Sequence, residues 1–304
     1  MRICSLLPSA TEIAFALGLG DDIVAVTHEC DYPPQARAKP VVVRSAIDTE
    51  ETSRGIEQQV SELLKTNKSL YTIDVERFKE ASPDLVLTQE LCDVCALDYR
   101  EVAQAAQCLS PTPRIVSLAP GVLSDVLNDI ARVGQATGKE REAESLVQQL
   151  RERIDRVEEQ AATSDFRPRV ACLEWLDPLY SAGHWVPEMV ALAGGEDGLA
   201  RTGQPSARIQ WERVLDFAPE VMVLMPCGFG LERTLKEAPR LATLPRWNEL
   251  PAVKKQRVFV VDGSAFFNRS GPRLVDGLEI LAQIIHPEIF SWNVSSAMVR
   301  RVEL

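Results

Sequence analysis

One phrase occurs twice in this chain, and it restricts the fold more than any other feature. Val75-Glu76-Arg77-Phe78, followed by Ser82-Pro83-Asp84 and the apolar run Leu85-Val86-Leu87, returns as Trp211-Glu212-Arg213-Val214, then Ala218-Pro219-Glu220 and Val221-Met222-Val223. In both copies the proline stands seven residues after the glutamate. An acidic opening residue, a proline that a helix cannot pass and an apolar run together predict a short helix followed by a buried strand. A chain that makes the same helix-to-strand unit in each half is expected to form two similar lobes, and two facing lobes make a cleft. That organisation points toward binding before any catalytic group is considered.

Other correspondences keep the same order. Arg2 to Leu6 and Arg169 to Leu173 both read as opening strands. Each precedes a helix that ends in a glycine cap, Leu17-Gly18-Leu19-Gly20-Asp21 in the first half and Leu192-Ala193-Gly194-Gly195-Glu196 in the second. Gly20 and Gly195 are 175 apart and the two glutamates 136 apart, so the first half holds 39 extra residues (175 − 136). These are expected at 44–70, with a helix around Glu57 to Lys65. Arg114 to Leu118 matches Arg257 to Val261 as a closing strand, and the helices that follow align as well. Strands alternating with helices of this length predict parallel α/β units.

Between the halves, Lys139 to Gln160 is rich in Glu, Arg and Gln and carries one apolar stripe at Ala143, Leu146, Val147, Leu150, Ile154 and Val157. This predicts a single bridging helix roughly 33 Å long, at ~1.5 Å per residue. The expected fold is therefore α/β: two similar Rossmann-like lobes with parallel sheets, joined by one long backbone helix, with the ligand cleft between them. The boundaries are 1–118 for the N-terminal lobe, 119–164 for the helical connection, 165–290 for the C-terminal lobe and 291–304 for a tail with no evident partner.

A net charge of −11 excludes non-specific nucleic-acid binding, which needs a basic surface. No apolar run approaches the ~20 residues of a membrane span, so no membrane insertion is expected. Met1-Arg2 leads into Ile3-Cys4-Ser5-Leu6-Leu7, too short for a signal core and followed at once by Pro8-Ser9. The seven cysteines are odd in number and irregularly spaced, unlike a disulfide framework. These features read as a reduced, cytoplasmic protein, or as a periplasmic one if an export signal has been removed.

The series Ser5-Leu6-Leu7-Pro8-Ser9-Ala10-Thr11-Glu12, Asp31-Tyr32-Pro33, Pro83-Asp84-Leu85-Val86-Leu87, Gly194-Gly195-Glu196 and Phe266-Phe267-Asn268-Arg269-Ser270-Gly271-Pro272-Arg273 resembles a known family. It is similar to the helical-backbone (class III) substrate-binding proteins of ABC transporters, and within them to the cobalamin-binding branch. The resemblance covers nearly all of residues 1–290 and implies a cobalamin-like corrinoid ligand. It also implies a membrane permease partner, docked through one acidic residue per lobe. Residue by residue, that pair falls on Glu76 and Glu212, the glutamates of the repeated phrase. The alternative reading is that each glutamate simply favours a helix N-terminus.

In parallel α/β lobes ligands sit beyond the carboxyl ends of the strands. That rule selects Pro8 and Ser9, then His28 and Glu29, then Glu90 and Cys92 in the first half. In the second half it selects Trp175, His184, Trp185, Cys227, Phe229, Phe267 and Arg269. The aromatic residues suit the face of a large flat ligand. Arg269 suits a phosphate or amide side chain of a corrinoid. His28 reads equally as a cobalt-contacting imidazole and as a hydrogen-bonding loop residue. With Cys30, Cys92 and Cys95 it also forms a ligand set suited to zinc, although a lone CxxC is a weak signal. No catalytic serine, nucleophile elbow or Walker loop is present, so the protein is not expected to be an enzyme. Three readings stay open: a transport component, a cytoplasmic corrinoid carrier or sensor, and a metal-binding protein or metalloenzyme using His28 and the nearby cysteines.

Overall fold

The computed structural model describes residues 1–66, 68–89, 99–292 and 295–302. The chain divides into two compact units, one of Met1–Pro120 with Ser124–Gln149 and the other of Gly121–Leu123 with Leu150–Leu304. Each unit is built on its own six-stranded sheet, mostly parallel in the first and with a three-stranded parallel centre in the second.

In the first unit the strands are β1 (Ile3–Ser5), β2 (Ile23–Thr27), β3 (Val41–Ser45), β4 (Tyr71–Ile73), β5 (Leu85–Gln89) and β6 (Arg114–Leu118), in the order β4-β3-β2-β1-β5-β6. All neighbours run parallel except β3 and β4. The helices are α1 (Pro8–Ala16), α2 (Ser53–Lys65), α3 (Val75–Ala81), α4 (Tyr99–Gln107) and α5 (Leu123–Thr137). Cys4, Ala25, Val43, Phe78, Val86 and Val102 share one side of the sheet as a buried core. The extra segment of the first half is α2 with β4. Thr52 opens α2 by accepting the Gly55 amide at 3.2 Å, as a threonine N-cap should.

The second unit contains β7 (Val170–Leu176), β8 (Leu179–Ser181), β9 (Ala207–Arg208), β10 (Val221–Leu224), β11 (Val258–Val261) and β12 (Val299–Arg301), ordered β12-β11-β10-β7-β8-β9. Here β7, β10 and β11 run parallel, and the flanking strands are antiparallel. Its helices are α7 (Val186–Leu192), α8 (Trp211–Phe217), α9 (Leu231–Glu237), α10 (Pro251–Lys254), α11 (Gly263–Phe266) and α12 (Leu274–Ile285). The α6 helix (Glu140–Ala161) is one uninterrupted element of 22 residues that contributes to both units. Its first half packs closely in the first unit, where a Cβ at Gly134 would lie 2.5 Å from the Ala143 methyl. Its second half is held in the second unit by Arg153, which donates to Asp276 at 2.6 Å and to Glu279 at 2.5 Å.

Both copies of the repeated phrase fold alike. Helix α3 leads into β5 and α8 into β10, and each helix ends on a residue in left-handed conformation, Ser82 (φ 40°, ψ 60°) and Ala218 (φ 48°, ψ 62°). The following proline then starts the strand approach.

The tail corrects one expectation. Val299–Arg301 pairs antiparallel with β11, Val261 opposite Val299 and Phe259 opposite Arg301. The physical reason is that β11 would otherwise present an unpaired row of backbone groups. Two adjacent arginines on the outermost strand keep the new edge charged.

Candidate functional site

In each unit the parallel strands direct their carboxyl ends toward one set of loops. In the first unit β1 runs into α1 through Leu7 in extended conformation, with Pro8 in the first helical turn and Ser9 buried behind it. Thr11 fixes this corner: its hydroxyl lies 2.8 Å from Ser5 Oγ and 3.1 Å from Cys30 Sγ. Cys30 is itself buried and 3.4 Å from Thr27 Oγ1, so its sulfur is packed against hydroxyls.

His28 follows β2. Its backbone amide donates to the Val43 carbonyl at 3.1 Å, and its Nδ1 lies 3.2 Å from the same oxygen. A carbonyl only accepts, so that bond puts the proton on Nδ1 and leaves the lone pair of the neutral ring on Nε2. Nε2 is enclosed, with no hydrogen-bond partner, 3.9 Å from Glu29 Oε1. Ligation of a cobalt through Nε2 therefore requires the imidazole to turn outward.

Glu90, Cys92 and Cys95 lie outside the described residues. Among the described residues no three His, Cys, Asp or Glu side chains gather into a metal site.

In the second unit the partly exposed Trp175, near the carboxyl end of β7, meets the Phe229 ring at 5.2 Å between centroids with the planes tilted by 60°. Phe229 is 1% exposed, and the Arg233 guanidinium sits 3.7 Å above its ring. Arg233 was not anticipated from sequence. Its signal is the four-residue spacing from Phe229, which returns it over that ring from α9.

His184 and Trp185 precede α7. His184 is half-buried in left-handed backbone conformation (φ 52°). Its amide donates to the Gln204 carbonyl at 2.6 Å, and its carbonyl accepts from the Gly203 amide at 2.9 Å. Burial pushes its imidazole pKa below the ordinary histidine value. These residues form a lip at the start of α7 together with Ser206. Its hydroxyl donates to Glu174 Oε2 at 2.7 Å and accepts from the Gly183 amide at 3.1 Å. The glycine at 183 is required here, since a Cβ would lie 2.4 Å from Ser206 N and 2.5 Å from Gln204 O.

Trp185 and Phe267 are packed inside. The Trp185 indole N–H donates to the Phe267 carbonyl at 2.8 Å, and the Phe267 side chain is 1% exposed. Phe229 is buried as they are, and its ring and that of Trp185 lie beside the more exposed Trp175 and His184. Cys227 is exposed in the loop after β10, with its amide donating to the Glu174 carbonyl at 3.0 Å. Arg269 is half-buried beyond α11. The two glutamates of the repeated phrase occupy matching positions, second in α3 and second in α8, and both are exposed. Glu76 pairs with Lys79 at 3.0 Å.

Two α/β units with sheets centred on parallel strands and a long shared helix define the architecture of a solute-binding protein. The chain belongs to the periplasmic binding protein family, whose profile matches residues 3–265. A relative in Bacillus subtilis strain 168, described as an uncharacterized ABC transporter substrate-binding lipoprotein, is 29% identical over 95% of this chain and 81% of its own length. The crystal structure of the periplasmic vitamin B12 binding protein BtuF of Vibrio cholerae superposes with a TM-score of 0.68, at 25% identity over 94% of this chain and 96% of that one. The periplasmic heme-binding protein RhuT of Roseiflexus sp. RS-1 shares the fold with a TM-score of 0.70, at 23% identity over 94% and 98%. The protein is thus a non-catalytic substrate-binding protein of the ABC-transporter type. No helix among the described residues is long and apolar enough to cross a membrane.

Proposed function

We propose that this protein binds a cobalamin-like corrinoid at the strand ends and delivers it to an ABC permease. One observation carries the reading. Trp175 offers a partly exposed indole that is braced by Phe229, whose ring also carries the Arg233 guanidinium. A rigid, supported aromatic surface suits a broad flat ligand, because it buries much area at small cost in side-chain entropy. In the same unit His184, Cys227 and Arg269 supply polar groups for the amide and phosphate substituents of a corrinoid. The 25% identity to a vitamin B12 binding protein over nearly the whole chain supports the same ligand class.

Permease docking falls to Glu76 and Glu212. Their matching, exposed positions at the starts of α3 and α8 support a paired role. Docking of this kind implies an extracytoplasmic location, and a relative described as a lipoprotein supports that choice.

The test is to mix purified protein with aquocobalamin, remove free ligand by gel filtration and record the absorption spectrum. The expected result is about one retained equivalent, with affinity reduced about tenfold or more in Trp175→Ala. Hemin and divalent metal are run in parallel. Retention of hemin or stoichiometric metal without retention of corrinoid overturns the reading. Fractionation of cells carrying the native gene tests the compartment, and recovery in the cytosol alone would remove the permease from the proposal.

A further inference from the structure

His286 lies immediately after α12 and is 1% exposed. Its Nε2 is 3.1 Å from the Gly194 carbonyl oxygen, and its Nδ1 is 3.1 Å from Glu288 Oε1. A carbonyl and a carboxylate can only accept. A neutral imidazole has a single N–H, so it would satisfy one of them and set a lone pair against the other. The ring itself is buried, whereas the Glu288 carboxylate is largely exposed. Only the doubly protonated ring donates in both directions.

The surroundings fit a cation at this point. Gly194 closes α7: its amide donates to the Ala191 carbonyl at 3.0 Å and the Gly195 amide to the Val190 carbonyl at 2.8 Å. The Gly194 carbonyl therefore stands at the negative end of that helix, where a positive charge is favoured. Gly194 is in left-handed conformation (φ +81°), and a Cβ there would lie 2.8 Å from His286 Nε2. The ring's approach thus gives the glycine at 194 a physical reason. The last carbonyls of α12, Ile284 and Ile285, are both taken by Arg257 Nη2 at 2.8 Å. Glu288 is the carboxylate between these two basic groups. Burial raises its pKa, but hydrogen bonds from its own backbone and from His286 outweigh that and hold it below the ordinary value. The other charged groups around the contact are Arg167, donating to the Ala191 carbonyl at 3.4 Å, and Glu220, ion-paired with Lys255 at 3.1 Å.

We propose that His286 is a protonation-gated clasp: as an imidazolium it ties the end of α7 to the end of α12, and deprotonation releases one of the two ties. The other end of α7 carries His184 and Trp185, so the clasp anchors the helix whose start forms the lip described above. The clasp contributes while both ring nitrogens carry protons, and one tie is lost when either proton leaves. The clasp does not depend on which ligand the protein binds.

Histidine-selective labelling of the full chain tests this directly, since only His28, His184 and His286 contribute signals. Long-range 15N–1H spectra are recorded from pH 5 to 9, with His28→Gln and His184→Gln used for assignment. His286 is expected to show both ring nitrogens protonated at the acid end and one tautomer at the alkaline end. Glu288→Gln keeps the chain's shape while removing the counter-charge, and it should move the His286 titration to lower pH. A His286 ring that stays a single neutral tautomer throughout, or a titration unmoved in Glu288→Gln, overturns the proposal.

Discussion

Arg169 grips Ala218: its Nε and Nη2 both donate to the Ala218 carbonyl oxygen, at 3.0 and 2.9 Å, and Nε also reaches the Phe217 carbonyl at 3.0 Å. Arg2 makes the same contact one repeat earlier, with Nε 3.1 Å from the Ala81 carbonyl and 3.0 Å from that of Ser82. In each unit the residue before the opening strand therefore caps the helix of the repeated phrase. The last carbonyls of a helix have no partner of their own, and a guanidinium satisfies two of them while favouring the negative helix end. The repetition seen in sequence is thus a repeated tertiary contact.

Arg169→Met should keep the packing of the side-chain stem and remove the fork. Hydrogen bonds from charged donors contribute about 1.5–3 kcal/mol each at most, and this side chain is partly exposed, so a net loss of about 2 kcal/mol is expected. Urea unfolding measures it, and Arg169→Lys should recover little because an ammonium cannot fork. An unchanged urea midpoint in Arg169→Met would show that the contact is ornamental.

The same caps allow a gain. Ser82 and Ala218 hold left-handed conformations that disfavour any residue with a Cβ. Ala218→Gly removes that strain at a position where glycine is the common choice, with an expected stabilisation of about 0.5–1 kcal/mol. Calorimetry should show a higher melting temperature, and a fall would mean that the extra freedom of the unfolded glycine outweighs the relief.

What was legible in the sequence was local pattern. The repeated phrase, the α6 helix and the central strands each depend on residues close in the chain: a proline stop, an apolar run, a stripe at helical spacing. The flanking antiparallel strands β8, β9 and β12 are two or three residues long, and their pairing is decided by which sheet edge needs covering. The Arg2 and Arg169 contacts join residues 79 and 49 positions apart, beyond any local signal. Among the candidate binding residues, placement along the chain picked out Trp175 at a strand end and His184 at a helix opening, and both are partly exposed. It could not separate them from Trp185, Phe229 and Phe267, because burial depends on what packs behind each ring.

Asp197 gives a pH-dependent prediction. Burial lifts its carboxyl pKa to about 6, against the lowering effect of hydrogen bonds from the Leu199 and Ala200 amides. A folded-state value above the unfolded one of about 3.9 means that the native protein binds more protons between these limits. Stability therefore falls as pH rises from about 4 to about 6 and levels off above. Asp197→Asn keeps an oxygen for both amides and carries no charge. It should match the wild type at pH 4 and exceed it at pH 8 by on the order of 1–3 kcal/mol. Denaturant titrations at the two pH values read the difference, and an equal gap at both would rule out the buried charge as its source.

Gly183 tests the lip itself. A methyl group there would meet only backbone, at Ser206 N, Gln204 O and Pro205 C, and backbone cannot rotate away as a flexible side chain can. The segment is also tied from both sides, through Gln204 to the His184 amide and through Ser206 to Glu174. Gly183→Ala should force these ties apart at a cost of about 1–3 kcal/mol, whereas Ser206→Ala removes one hydroxyl and should cost about 1 kcal/mol. If the lip orients ligand groups, Gly183→Ala should also weaken aquocobalamin retention well beyond its effect on thermal stability. Unaltered retention in a folded Gly183→Ala protein would detach the 203–206 segment from binding and leave Trp175 and its phenyl support as the part of this unit that holds the ligand.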